Sequence, residues 1–189
     1  LRFYLEWMLF NPIGFTLGSL HGATDNGLVP SVIPGYVGLV LGDLVFGAMI
    51  GFIQYIVFRR TGFLPAATKW IFASSIGFTV GARIGALVTF RLTSDWQTAG
   101  IIFGIFMGGS IGLATALTLY KQFPLERLLI WIISSVAAWV LGEWVAFASL
   151  FSLKAVPLVA LAVAAITGLG LISLRPNSQK KIPGQTSQR

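Results

Sequence analysis

Long apolar stretches, separated by short breaks that are charged or rich in proline and glycine, dominate the chain. A bilayer core about 30 Å thick requires roughly 20 apolar residues in a spanning helix. Six stretches reach that length, so the pattern predicts an all-α integral membrane protein with six transmembrane helices. The predicted spans are residues 3–22, 36–58, 68–90, 98–120, 128–149 and 155–174. The first is the most polar, because Glu6 and the Asn11-Pro12 pair interrupt it.

The positions of the basic residues predict the orientation of these spans. Ten of the 13 Lys and Arg residues lie before the first span, between the second and third, between the fourth and fifth, or after the sixth. Cytoplasmic segments carry the excess of Lys and Arg, so both termini are expected in the cytoplasm and the loop 23–35 outside or in a lumen. The ten are Arg2, Arg59, Arg60, Lys69, Lys121, Arg127, Arg175, Lys180, Lys181 and Arg189, and the other three are Arg83, Arg91 and Lys154.

The same charge distribution argues against one class of partner. A nucleic-acid-binding protein needs basic residues spread over a polar face, whereas here they lie in the gaps between apolar stretches. We therefore expect the lipid bilayer and other membrane-protein subunits, or a second copy of this chain, as partners, and no nucleic acid. Residues 175–189 are polar, carry Pro and Gly, and are predicted to be a disordered basic cytoplasmic tail.

One helical segment recurs along the chain. Residues 70–81 (WIFASSIGFTVG) match residues 131–142 (WIISSVAAWVLG) at an offset of 61, and residues 7–18 (WMLFNPIGFTLG) match 70–81 at an offset of 63. Recurrence at a fixed spacing predicts three copies of one helical hairpin, approximately residues 1–60, 61–121 and 122–175, within a six-helix domain of residues 1–174. Because all three enter from the same side, rotation about the membrane normal should relate them.

Small residues recur at every fourth position in these helices. Helices in lipid associate through close backbone approach along such ridges, so the ridges predict helix-packing faces and a tight interior. The residues predicted to pack helices are Gly14, Gly18, Gly77, Gly81, Gly100, Gly104, Gly108, Gly112 and Gly142.

The stretch from Gly47 to Arg60 (GAMIGFIQYIVFRR) combines Gly-x-x-x-Gly-x-x-Gln-aromatic with a terminal basic pair. In this it resembles a group of uncharacterised multi-pass membrane proteins of cyanobacteria and related phototrophs, although the second hairpin lacks the Gln-aromatic pair. The resemblance implies a bacterial inner (plasma) membrane or a thylakoid membrane. It implies no reaction.

Three ionisable residues lie within the predicted spans, where they are functional candidates by default. At 1.5 Å per residue, Asp43 lies about 25 Å from Arg60, Arg83 about 20 Å from Trp70, and Glu143 about 18 Å from Trp131. All three therefore share the outer half of the bilayer. They could form a structural clamp, or a site for a cation or proton.

Other polar residues add two further predictions. Gln54 is expected to hydrogen-bond between helices, and His21 is a candidate axial ligand for the magnesium of a chlorophyll. Trp7, Trp70 and Trp131 are expected to anchor helices at the membrane interface.

No catalytic or cofactor motif occurs, and there is no cysteine, so we expect a protein that is not an enzyme. Three functions stay open from the sequence. The first is an accessory or scaffold subunit of a larger membrane complex. The second is a small-solute or ion transporter that uses Asp43, Arg83 and Glu143. The third is a subunit that binds chlorophyll or carotenoid in a photosynthetic membrane.

Overall fold

A computed structural model describes residues 1–22, 27–64, 68–150, 152 and 154–174. All regular secondary structure in these residues is helical. The predicted tail, 175–189, lies outside the described residues, as does part of the predicted outer loop. The helices are α1 (Arg2–His21), α2 (Leu28–Val32), α3 (Gly35–Thr61), α4 (Lys69–Leu92), α5 (Trp96–Leu119), α6 (Leu125–Ala148) and α7 (Val156–Ser173).

Five of these helices, α3 to α7, are long and apolar enough to cross a membrane, which is consistent with an all-α membrane protein. Helix α1 has 20 residues but is not among the five. Helix α2 is a short helix inside the predicted outer loop that the apolar pattern did not predict. It ends where Ile33 turns extended before Pro34, because a proline disfavours helical geometry in the residue before it.

Local chemistry explains where two of the long helices begin and end. Helix α3 stops at Gly62, whose φ of 62° is left-handed and costs glycine little. Helix α5 starts after Asp95, whose side chain accepts a hydrogen bond from the backbone N–H of Thr98 at 2.7 Å. Hydrogen bonds from Thr98 also lower the pKa of Asp95.

The six long helices stand side by side in a closed ring. Each contacts the helix before and after it in the order α1, α3, α4, α5, α6, α7, and α7 returns to contact α1. Neighbouring helices run antiparallel, and no pair of the described helices makes backbone contact across the ring. The ring therefore encloses a central axis that only side chains can fill.

One end of the ring carries most of the described basic residues, and we call it the basic end. There Glu6 pairs with Arg2 and with Arg60, each at 2.9 Å, which ties the start of α1 to the end of α3. Arg127 donates to the backbone carbonyl of Leu174 at 3.2 Å, which ties the start of α6 to the end of α7. We call the opposite end, where α4 meets α5 and α6 meets α7, the far end.

The nine glycines of the predicted packing ridges lie where one helix meets its neighbour around the ring. A Cβ on Gly108 would fall 2.5 Å from the carbonyl oxygen of Ser135 and 2.5 Å from the Cα of Val136 on α6, whereas a Cβ on Gly109 would meet nothing within 4 Å. The ridges face sideways rather than toward a common interior. The centre is left to larger side chains, and its packing differs between the two ends.

Tryptophan and phenylalanine side chains fill the axis in two layers. Toward the basic end, Trp7, Trp70 and Trp131 are at most 2 % exposed, so their expected role as interface anchors is wrong. The indoles point into the ring because each finds a polar partner there. Nearer the middle, Phe15, Phe78 and Trp139 form the second layer, with the Trp139 ring 5.4 Å from Phe15 and 5.8 Å from Phe78.

Candidate functional site

A cavity of about 420 Å³ occupies the axis at the far end of the ring, and we call it the far-end cavity. The aromatic layer of Phe15, Phe78 and Trp139 lines it toward the middle of the ring, and Leu150 and the exposed Ser152 line its rim. The predicted tight interior therefore does not extend to this end. Its volume is in the range of small-molecule sites, about 300–1,000 Å³.

The far-end cavity brings together the three ionisable residues predicted within the spans. Asp43 projects from α3, Arg83 from α4 and Glu143 from α6. The sequence placed them at a common depth, and the structure adds that all three line one cavity. It also distinguishes the roles of the two carboxylates.

Asp43 and Arg83 form an ion pair across the α3–α4 contact. The Nε of Arg83 lies 2.6 Å from Oδ2 of Asp43. The Asp43 side chain is 2 % exposed and that of Arg83 is 26 % exposed, so the arginine faces the open side of the pair. Each charge offsets the other, and the pair contributes no net charge to the cavity.

Glu143 has no such partner. Its residue is 7 % exposed, and within the described part of the chain it makes no hydrogen bond and no ion pair. A buried ionised carboxylate without a partner is costly, and such groups occur in spans chiefly where they line a cavity or a pathway. Among the residues that line the far-end cavity, Glu143 is the acidic side chain without a cationic partner in the described residues.

A second polar group lies deeper, between the two aromatic layers, and we call it the polar belt. Gln54 occupies its centre: the indole of Trp70 donates to Oε1 of Gln54 at 2.8 Å, and Nε2 of Gln54 donates to Oδ1 of Asn11 at 2.9 Å. Gln54 therefore joins α4, α3 and α1, as an interhelical hydrogen-bonding residue would. The belt consists of Asn11, Gln54, Ser74, Thr115, Ser135 and Thr167.

The indoles of Trp131 and Trp7 are bonded in the same way. The indole of Trp131 donates to Oγ1 of Thr115 at 2.9 Å, and the indole of Trp7 donates to Oγ1 of Thr167 at 3.1 Å. In each case the indole reaches the neighbouring helix that precedes it around the ring. The polar belt therefore joins α1 to α7, α4 to α3 and α6 to α5.

A small cavity of about 20 Å³ lies beside the belt. Its lining includes the hydroxyls of Ser74 and Ser135, and neither has a hydrogen-bond partner among the described residues. This volume suits about one water molecule. The basic half of the ring is thus closely filled, in contrast to the far half.

Apart from Gln54, sequence reasoning missed the polar belt, although a signal for it exists. A polar residue follows each buried tryptophan by four positions, and an aromatic residue follows by eight, which places all of them on one helix face. The triplets are Trp7, Asn11 and Phe15; Trp70, Ser74 and Phe78; and Trp131, Ser135 and Trp139. Four positions further come Ser19, Ala82 and Glu143, so Glu143 is the one carboxylate on this face.

His21 lies at the end of α1, outside both polar groups. Its Nδ1 is 2.6 Å from the carbonyl oxygen of Leu17. Because a carbonyl only accepts, Nδ1 is the donor in this contact. The role of His21 as a pigment ligand stays a prediction.

No protein-family model, curated protein or solved structure matches the chain. Within the described residues, no group of three or more His, Asp or Glu side chains could hold a metal ion. The far-end cavity is therefore a site with one unbalanced carboxylate, one neutralised ion pair and aromatic walls.

Proposed function

We propose that this chain is a non-enzymatic integral membrane protein that binds a small solute in the far-end cavity and carries it across the bilayer. The observation that carries the proposal is Glu143, buried in a cavity of about 420 Å³ without a partner among the described residues. A purely structural clamp accounts for Asp43 and Arg83, since each neutralises the other. It does not account for Glu143.

The energetics favour a functional role for this carboxylate. An ionised residue at the centre of a spanning helix costs on the order of 3 kcal/mol, and less toward the ends. Nothing within the described residues offsets that cost for the ionised form of Glu143. A bound solute of complementary charge would offset it, and this accounts for a carboxylate in a cavity.

Transport also requires a conformational change on the side of the cavity that faces the basic end. Phe15, Phe78 and Trp139 separate the far-end cavity from the small cavity at the polar belt. A solute can pass only if this aromatic layer opens. We infer that the described arrangement is the state in which the site is closed toward the basic end.

The proposal includes the finer topology predicted from the sequence. We propose α1 as a sixth span, supported by its place in the ring between α3 and α7 and by its exposed apolar side chains, such as Leu9 and Ile13. Its charged residue Glu6 is balanced by Arg2 and Arg60. The basic end, which holds the start of α1 and the end of α7, then faces the cytoplasm, and with it both termini as the charges predict. The membrane is a bacterial inner (plasma) membrane or a thylakoid membrane.

We also propose that three related hairpins build the ring. Support comes from the three indole hydrogen bonds, which join tryptophans at matching positions to polar residues on the preceding helix. The third hairpin alone carries a carboxylate at the cavity position, since Ser19 and Ala82 fill the matching positions. A binding site in a ring of three similar hairpins needs a residue that only one hairpin carries, and Glu143 is such a residue.

Flux in liposomes tests the transport proposal. The purified protein is reconstituted, and currents are recorded on a supported membrane for sodium, protons, choline, glycine betaine and a neutral polyol. At least one solute should give a current, or for the polyol an uptake, that Glu143→Gln abolishes. Asp43→Asn should lower the flux as well, because it leaves the charge of Arg83 unpaired in the cavity. No response to any solute would contradict the proposal. Unaltered flux in both variants would show that Glu143 and Asp43 take no part in transport.

A second candidate function is an accessory or scaffold subunit of a larger membrane complex, and the closely filled basic half of the ring favours it. A subunit whose task is assembly needs no pathway, and the cavity described there holds only about 20 Å³. Purification from native membranes in mild detergent tests this function. Recovery of stoichiometric partner subunits without flux would favour it, and an absorption spectrum of the same sample would reveal bound chlorophyll or carotenoid.

A further inference from the structure

We infer that the solute of the far-end cavity is a small organic cation of the ammonium type. This inference rests on the proposed function and adds the chemical class of the solute. It follows from the unpaired acidic group of the cavity, the nature of its walls and its volume.

Glu143 is the acidic group of the cavity that no cation in the described residues pairs with. Asp43 and Arg83 cancel, and Glu143 adds one negative charge when ionised. An anionic solute would face this charge with the single arginine already paired. A zwitterion would need a free cation for its carboxylate, and Arg83 is not free. Lys154, the nearest lysine in sequence, is exposed and does not line the cavity.

The walls of the cavity are aromatic. Phe15, Phe46, Phe78, Phe103 and Trp139 all line it, and the Phe46 and Phe78 rings stack with centroids 4.3 Å apart. Aromatic rings attract organic cations through their quadrupole and are the usual walls of sites for quaternary ammonium groups. A single carboxylate beside such walls matches a cation that is itself largely apolar.

An inorganic cation fits the same walls poorly. Calcium and similar hard ions require a shell of several oxygen ligands, whereas most of the residues that line the cavity are apolar. The cavity volume of about 420 Å³ also exceeds what a bare ion fills. An organic ammonium of a few carbon atoms satisfies both the charge and the volume.

Choline and 3,3-dimethylbutan-1-ol test the inference, because they have nearly the same shape and differ in a charged nitrogen against a neutral carbon. Binding is measured by calorimetry on the full chain in a maltoside detergent, which avoids lipids with choline headgroups. Choline should bind at least about tenfold more tightly than its neutral analogue. Glu143→Gln should remove most of that difference and leave the neutral analogue unchanged.

Glu126→Gln provides the matched control, because Glu126 lies on the same helix, is exposed and is at the basic end. This variant should bind choline as the parent chain does. Comparison of the two ligands on the parent chain needs no variant, so it stays decisive if Glu143→Gln fails to fold.

The outcomes separate the two proposals. Equal affinity for choline and its neutral analogue would overturn the inference, as would choline binding that survives Glu143→Gln. Flux or binding of sodium, glycine betaine or a polyol without any binding of choline would also overturn the inference but leave the transport proposal standing. Failure of every solute in both binding and flux would overturn both.

Discussion

The two halves of the helix ring differ in the partners of their buried polar side chains and in the volume of their cavities. In the basic half, polar side chains such as Gln54 and Thr115 are bonded to indoles and leave a cavity of about 20 Å³. In the far half, Glu143 is left without a partner among the described residues beside a cavity of about 420 Å³. Hydrogen-bonded groups such as Gln54 indicate a structural role, whereas an unpaired carboxyl group beside a large cavity is a candidate for ligand binding.

We expect the largest loss of stability from a substitution that disrupts close packing between neighbouring helices, because both halves of the ring depend on that packing. Gly108→Leu places a side chain against the backbone of α6 and should cost more than about 3 kcal/mol. We expect loss of the monodisperse peak in size-exclusion chromatography. The adjacent Gly109→Leu meets open space and should behave as the parent chain; loss of the peak in both variants would mean that the ring does not depend on this approach.

Gln54→Leu should give the next largest effect, because it leaves the indole N–H of Trp70 and Oδ1 of Asn11 without their partners. Two buried groups that lose hydrogen bonds should lower the free energy of unfolding by about 2 kcal/mol. The thermal midpoint in detergent measures the loss. Gln122→Leu, at an exposed position of the basic end, is the control and should leave the midpoint unchanged.

Asp43→Ala and Glu143→Ala should have effects of opposite sign. The first leaves Arg83 unpaired and should cost about 1–2 kcal/mol, below the range for fully buried pairs because Arg83 is partly exposed. The second removes an unpaired carboxylate and should stabilise the chain by about 1 kcal/mol. Thermal midpoints compare the two, and destabilisation by Glu143→Ala would indicate that this residue has a structural partner.

Thr115→Val should have the smallest effect. It removes the acceptor of the Trp131 indole and should cost about 1 kcal/mol. A double-mutant cycle with Trp131→Phe isolates this hydrogen bond, and the two losses should not add. Additive losses would indicate that the bond contributes nothing to the stability of the polar belt.

The sequence predicted the elements of this fold better than their arrangement. Apolar stretches of sufficient length located the long helices, because length and hydropathy are properties of single segments. Helix α2 was missed, since its five residues carry too little pattern. The depth of Asp43, Arg83 and Glu143 followed from counting residues, but their convergence on one cavity depends on helix rotation, which counting does not give.

The tryptophans show the same limit. Their positions near helix ends suggested interface anchors, because amphipathic rings favour that region. The prediction was wrong since polar residues on neighbouring helices, such as Thr115 and Thr167, provide partners for the indoles inside the ring. A partner on another helix is invisible in a single segment. The recurring four-residue spacing of Trp, polar and aromatic residues was the signal that could have revealed the inward face.

Cysteine accessibility tests the contrast between the halves most directly, because the chain contains no cysteine of its own. Single cysteines replace Ala146, which lines the far-end cavity, and Ser135, which lies at the polar belt on the same helix. A cationic, membrane-impermeant methanethiosulfonate applied to the far end should modify Ala146→Cys about tenfold faster than an anionic one, and should not modify Ser135→Cys. Equal modification of both cysteines, or no preference for the cationic reagent at Ala146→Cys, would contradict a negatively charged far-end cavity above a closed basic half.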